Sequence, residues 1–251
     1  MLSSTLNFAP SGLKDVGKHP LITRFFKGIY NSRPPVPRYV NTWDPATILT
    51  YFDSRASASL SLIQLARKTA TLLALTTILR CSELTSIQKQ SVIISETEAS
   101  FILGNPRKAQ KSGALHKISV RSWLDNRAIC PVKCLEQYLE ATRPHRNKDN
   151  DSQLFIGANK PHRSVSSSTV GRWIKDQLKE TGINTAIFSA HSVRGAASSK
   201  AAAAGVPIQS ILNQGHWASE STFAKFYRRE KTKEKQIDIE ALLQVSGDDS
   251  D

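Results

Sequence analysis

The feature that most limits the possible folds is a change of apolar period in the middle of the chain. From Leu60 to about Leu79 the apolar residues follow helical spacing, which predicts one long buried helix ending near "RCSEL". After it come "SVIIS", "ASFILG" and "HKISV", short β-rich runs separated by polar segments, with Gly104, Pro106 and Gly113 between the second and third. These predict a small antiparallel sheet. Helical spacing returns in "CPVKCLEQYLEA"; a polar loop over 143–152 and a short apolar "LFI" follow. From "SSTVGRWIKDQL" onward the pattern predicts successive helices, with breaks at Pro207 and Gly215. The expected fold class is mainly α with a small antiparallel β-sheet, an α+β arrangement.

Residues 1–43 are poor in long apolar patterns, and Pro34, Pro35 and Pro37 in "SRPPVPRY" favour extended backbone. They are expected to be a linker or the remnant of an N-terminal domain. A helix is expected in "TWDPATILTYF", capped by Thr42 or Asp44, with Ile48, Leu49 and Phe52 facing inward. The run "TATLLALTTIL" is too short and too polar to cross a bilayer, and nothing resembles a secretory signal. No internal repeat, heptad run or phosphate-loop glycine pattern is found.

Charge narrows the partner. Lys plus Arg number 34 against 21 Asp plus Glu, a formal charge of +13, which favours a polyanion. Nucleic acid is the first expectation and an acidic membrane surface the second. The cations are spread through folded-looking sequence, which predicts a binding face in preference to a disordered basic arm. The cysteines are Cys81, Cys130 and Cys134, an odd number in a chain large enough to fold without disulfides, which points to a reducing compartment. "CPVKC" has no second Cys/His pair at zinc spacing. Pro131 suits the first turn of a helix carrying Cys134 inward, so core cysteines and no metal are expected.

The polar residues with chemical interest cluster late in the chain. In "HSVRGAAS", His191 and Arg194 are one helical turn apart, and a cap at Ser189 would place them near free backbone N–H groups suited to phosphate. Arg80 directly follows the buried helix and needs a partner or a ligand there. His216 follows Gly215, and Tyr227 lies beyond it on an expected helix. Singly, these residues read as an ion-pair arginine, a backbone-satisfied histidine, a turn histidine beside a packed Trp217, and a half-buried ring.

Together, Arg80 in "ILRCSEL", a lysine in the following hairpin, "HSVRGAAS", "GHW" and a tyrosine before a basic pair resemble the catalytic domain of the tyrosine recombinases, also called phage-type integrases. The resemblance covers residues 44 to 245. "HPLITRFFKGIYNSRPPVPRY", "TWD" and "CPVKCLEQYL" are similar to recombinases of eukaryotic mobile elements. What the resemblance implies is a DNA-breaking and rejoining fold acting on double-stranded DNA through a 3′-phosphotyrosine, with no metal, ATP or other cofactor. It implies Tyr227 as nucleophile, Arg80 and Arg194 gripping the phosphate, and His191 as general acid/base. His216 would hydrogen-bond the phosphate, and Lys108, or alternatively Lys111, would protonate the leaving oxygen.

The same resemblance implies a catalytic domain over 44–230, with too little chain before it for the family's N-terminal clamp domain. In the C-terminal helix and acidic tail, 231–251, Ile237, Ile239, Leu242 and Leu243 form an amphipathic segment. It is expected either to pack on its own core or to dock into a neighbouring subunit, the latter giving a homotetramer on paired DNA sites. No membrane partner is implied, and the location is nuclear in a eukaryote and cytoplasmic otherwise. A catalytically inactive DNA-binding remnant and a relaxing enzyme of the topoisomerase IB type are the competing functions.

Overall fold

A computed structural model describes residues 16–34, 41–55, 59–107, 110, 112–217 and 219–226. Two compact units are present, Met1–Arg38 and Tyr39–Asp251. In the first, α1 spans Pro20–Ser32, with His19 Nδ1 accepting the Leu21 N–H at 3.3 Å. A linker or the remnant of an N-terminal domain was expected over 1–43. A helix forms because Leu21, Phe25 and Ile29, and likewise Phe26 and Tyr30, recur every four residues, although all five are exposed.

The second unit opens with α2 (Ala46–Ser54) and α3 (Leu62–Thr77). Asp44, not Thr42, serves the start of α2: its Oδ1 accepts the Ala46 N–H at 2.9 Å, while the Thr42 hydroxyl turns to the Trp43 carbonyl. Leu65, Ala66, Ala70, Leu72, Leu73 and Ala74 of α3 are all buried. Burial on so many sides makes α3 the axis of the unit. Its buried threonines remain satisfied within the helix, Thr69 Oγ1 donating to the Leu65 carbonyl at 2.8 Å.

A short α4 (Cys81–Thr85) leads to the three strands β1 (Ile93–Ile94), β2 (Glu98–Ile102) and β3 (Lys117–Arg121), antiparallel in the order β1-β2-β3. Register pairs Ile93 with Ser100 and Phe101 with Ile118. The expected sheet is therefore present. Gly104, just beyond β2, donates its N–H to the Ser86 carbonyl at 2.6 Å, and a Cβ there would sit 3.0 Å from that oxygen. So close an approach favours glycine, since a side chain would press on that oxygen.

Next comes α5 (Pro131–Thr142), begun by Pro131 and capped by the Cys130 sulfur, with Cys134 facing inward as expected. Burial pushes the Cys134 thiol up to about 11. Among the described residues four helices follow: α6 (Ser167–Glu180), α7 (Ser192–Ala203), α8 (Ile208–Gly215) and α9 (Glu220–Phe226). α3 packs against α5, α6 and α7, β3 packs on α3 and α5, and α8 bridges α7 and α9. No helix among the described residues is long and apolar enough to cross a membrane.

One buried hydroxyl ties the expected "LFI" segment to this frame. Tyr138 Oη, on α5, accepts the Ile156 N–H at 3.0 Å, and burial raises the phenol to about 12. Tyr138→Phe leaves that buried N–H without a partner, so urea unfolding should report a loss of about 1–3 kcal/mol.

Candidate active site

The site forms where two helices end and two begin. α3 stops because Ile78 adopts a left-handed conformation, φ 57°, with its N–H still donating to Ala74. A β-branched residue rarely adopts this conformation, which carries about 1–3 kcal/mol of strain. Leu79 then plugs the core, and Arg80 becomes the N-cap residue of α4. Three positions on, Glu83 folds back: its Oε2 accepts the Arg80 backbone N–H at 2.8 Å and its Oε1 accepts Arg80 Nη1 at 2.7 Å.

Glu83 is 6% exposed and gathers two more guanidiniums. Arg107 Nε, from the β2–β3 connection, donates to Oε1 at 3.1 Å. Arg194 Nη1, from α7, lies 3.8 Å from Oε2. Burial alone would raise the Glu83 carboxyl, but the Arg80 N–H and the Arg107 and Arg80 guanidiniums outweigh it and hold the pKa below the usual carboxylate value. Three cations around one anion leave a net positive cluster.

Two of these arginines also hold the end of α8. The helix closes with Trp217 N–H donating to the Leu212 carbonyl at 3.0 Å and His216 N–H to the Asn213 carbonyl at 3.2 Å, His216 being left-handed at φ 52°. The next carbonyls, free of intrahelical donors, are taken by guanidiniums: Gln214 O by Arg107 Nη1 at 3.2 Å and Gly215 O by Arg194 Nη2 at 2.9 Å. Arg194 Nη1 additionally donates to the Ile78 carbonyl. At 1% exposure, Arg194 thus links the ends of α3 and α8.

His216 stands among these cations, its ring edge-on to His116 with centroids 4.8 Å apart. Burial, Arg107 and His116 together lower its pKa from the ordinary histidine value, so the imidazole is neutral near pH 7. Trp217 packs as expected, 5.1 Å from Phe223 and with the Arg194 guanidinium 4.7 Å from its ring centroid. Gly215 makes room for that ring, since a Cβ there would fall 1.9 Å from it.

Of the expected residues, Arg80, Arg194 and His216 come together. His191 is exposed at the start of α7, where it, not Ser189, is the N-cap residue; Trp43 Nε1 donates to the Ser192 hydroxyl at 2.9 Å and anchors this helix start. His191 and Arg194 therefore share a helix beginning but not an environment, one in solvent and one buried. Lys108, Lys111, Tyr227 and the segment 231–251 lie outside the described residues. Glu83, Arg107 and His116 were not expected. The i, i+3 spacing of Arg80 and Glu83 was a usable signal for the first; nothing in the sequence separates Arg107 from the cations beside it.

Two substitutions probe this construction. Glu83→Gln leaves three guanidiniums without their anion and should cost about 3–5 kcal/mol in urea unfolding at pH 7. A depressed carboxylate stabilises above its unfolded pKa, 4.5, and loses that contribution as pH falls through the folded value, so the difference from the unaltered chain should shrink below pH 4.5. Gly215→Ala should force Trp217 off Arg194, visible as a change in tryptophan fluorescence with a loss of thermal stability.

The sequence model of the phage integrase family matches residues 48–234. Among solved structures, a XerH site-specific recombinase in a post-cleavage complex with its palindromic difH substrate is similar at TM-score 0.58 and 10% identity, over 82% of this chain and 53% of that one. XerA recombinase is similar at TM-score 0.54 and 19% identity, over 90% and 75%. The Tn1549 transposon integrase in complex with transposon right end DNA is similar at TM-score 0.55 and 13% identity, over 88% and 76%. The chain thus spans about half the length of XerH, and at these identities the likeness is one of fold. No curated protein sequence matches it. With the family match running from α2 past α9, and the helices, small sheet and arginine cluster arranged as above, the chain belongs to the phage integrase family.

Proposed function

We propose that this chain breaks and rejoins strands of double-stranded DNA as a recombinase or integrase, with Tyr227 as the nucleophile. The observation that carries the reading is the convergence of Arg80, Arg107 and Arg194 on Glu83, a cluster with surplus positive charge beside His216. Such a cluster suits the extra negative charge that a phosphodiester's non-bridging oxygens gain in the transition state.

In this reading the Tyr227 phenolic oxygen attacks phosphorus and forms a 3′-phosphotyrosine, while the phenolic proton passes to His191. The bond from phosphorus to the 5′ oxygen breaks, and that oxygen keeps the electron pair. Lys108 gives it a proton, so it leaves as a 5′-hydroxyl. A second 5′-hydroxyl later attacks the phosphotyrosine and restores the phenol. Bond energy is kept in the covalent link, so no nucleotide hydrolysis is needed. Arg80 and Arg194 supply forked hydrogen bonds, and His216 supplies one more through its ring.

The catalytic unit in this proposal is 44–230, with 231–251 docking between copies of the chain to give a homotetramer on paired DNA sites. Incubation with a pool of nicked, end-labelled duplexes of randomised sequence tests the chemistry. The unaltered chain should retain label covalently after denaturation, and Tyr227→Phe should retain none. Arg80→Ala and Arg194→Ala should each slow adduct formation by about 10²–10³-fold. An adduct formed by Tyr227→Phe would remove Tyr227 from the role.

A further inference from the structure

We propose that Arg107 is a third phosphate-binding guanidinium of this site, contacting the same DNA phosphate as His216. The proposal rests on the reading of the site as a DNA-phosphate site and adds a residue that the sequence did not single out.

Arg107 is 2% exposed, and its donors can be followed one by one. Nε goes to Glu83, Nη1 to the Gln214 carbonyl, and its backbone N–H to Gln110 Oε1 at 3.2 Å. Nη2 is buried and has no hydrogen-bond partner. A buried guanidinium ordinarily satisfies its N–H groups, and an orphaned one signals a missing ligand or a functional role. His216 Nε2 is the second orphan: it too is buried without a partner. Both side chains meet at the end of α8, where Arg107 Nη1 bonds the Gln214 carbonyl and His216 follows two residues later.

Arg107 also lines a cavity of about 570 Å³, walled by Thr76, His116, Lys117, Asn213 and Gln214 among others, with no carboxylate in its described lining. An anionic oxygen that reaches both Nη2 and His216 Nε2 would satisfy the two orphans at once. Glu83 does not bond Nη2: its Oε1 accepts Arg80 Nη1 and Arg107 Nε, and its Oε2 accepts the Arg80 N–H. A neutral His216 donates to that oxygen as its Nε2–H tautomer.

The residue is held in place from both sides. Gln110 Oε1 also bonds His116 Nδ1 at 2.9 Å, and Gln110 N–H donates to the Arg107 carbonyl at 2.7 Å. The Gln110 amide NH₂ donates to the Ala114 carbonyl at 2.8 Å, which fixes its oxygen toward Arg107 and His116. His116 therefore carries its proton on Nδ1. An arginine does not release its proton near neutral pH, so Arg107 binds charge and takes no part in proton transfer.

The test uses the full chain with Tyr227→Phe as background, so that no covalent step intervenes, and follows binding to one fixed duplex as salt is raised. Each phosphate contact contributes about 0.9 to the slope of log affinity against log salt, so Arg107→Gln should lower the slope by about one and Arg107→Lys should keep it. Partial unfolding lowers the active fraction without changing the slope, which separates binding from a merely structural role. An unchanged slope in a folded Arg107→Gln protein overturns the proposal. Should that variant not fold, crystals of the unaltered chain grown with inorganic phosphate decide the matter. An anion within hydrogen-bond distance of Arg107 Nη2 and His216 Nε2 supports the assignment; an anion on Arg80 and Arg194 alone, or none, defeats it. Absence of a Tyr227 adduct in the unaltered chain would sink the strand-breaking reading instead, and leaves the slope comparison intact, so the two failures are distinguishable.

Discussion

Arginines from the end of α3, the β2–β3 connection and α7 lie together because the Glu83 carboxylate sits among them; without it their mutual repulsion in a poorly solvated setting would drive them apart. The geometry of the site follows from that one anion. Glu83 in turn is placed by the abrupt end of α3, where Ile78 turns left-handed and α4 restarts within three residues. Its capping of the Arg80 N–H binds the carboxylate to a helix start, so the charge cannot drift from the cations it organises.

Helix ends supply the rest of the polar scaffold. The carbonyls of Ile78, Gln214 and Gly215 all accept from guanidiniums, so the negative ends of α3 and α8 are partners of the arginines as well as Glu83. Ile78 and His216 both carry positive φ and border the same cluster. Strain of this kind persists only where surrounding contacts over-determine it, and here the arginine contacts and the packing of Trp217 do so. "GHW" is thereby explained residue by residue: glycine admits the indole, histidine takes the left-handed turn, and tryptophan covers Arg194.

Much of the fold was legible in the sequence because its signals are local. The helix expected from Leu60 to about Leu79 is found at Leu62–Thr77, and the three β-rich runs became the three strands, since apolar period alone separates a buried helix from a short sheet. Pro131 announced the start of α5 through its missing N–H. Where several local choices were nearly equal, the sequence misled: α7 begins after His191 and does not use Ser189 as its cap. The candidate site divides in the same manner. Arg80, Arg194 and His216 could be singled out from motif context, whereas Arg107 is one cation among several in a polar connection and gains its meaning only from being buried.

The sequence by itself determined the order of elements, the apolar surfaces that build the core and a surplus of positive charge calling for a polyanion, because periodicity, capping and composition act over a few residues or over the whole chain at once. Tertiary structure alone decided which cations share a carboxylate, which donors are left over, and that His191 faces solvent while Arg194 does not. Those outcomes depend on distances between residues such as Glu83, Arg107 and Gln214, which are remote along the chain and are brought near only when α3, the sheet and α8 pack.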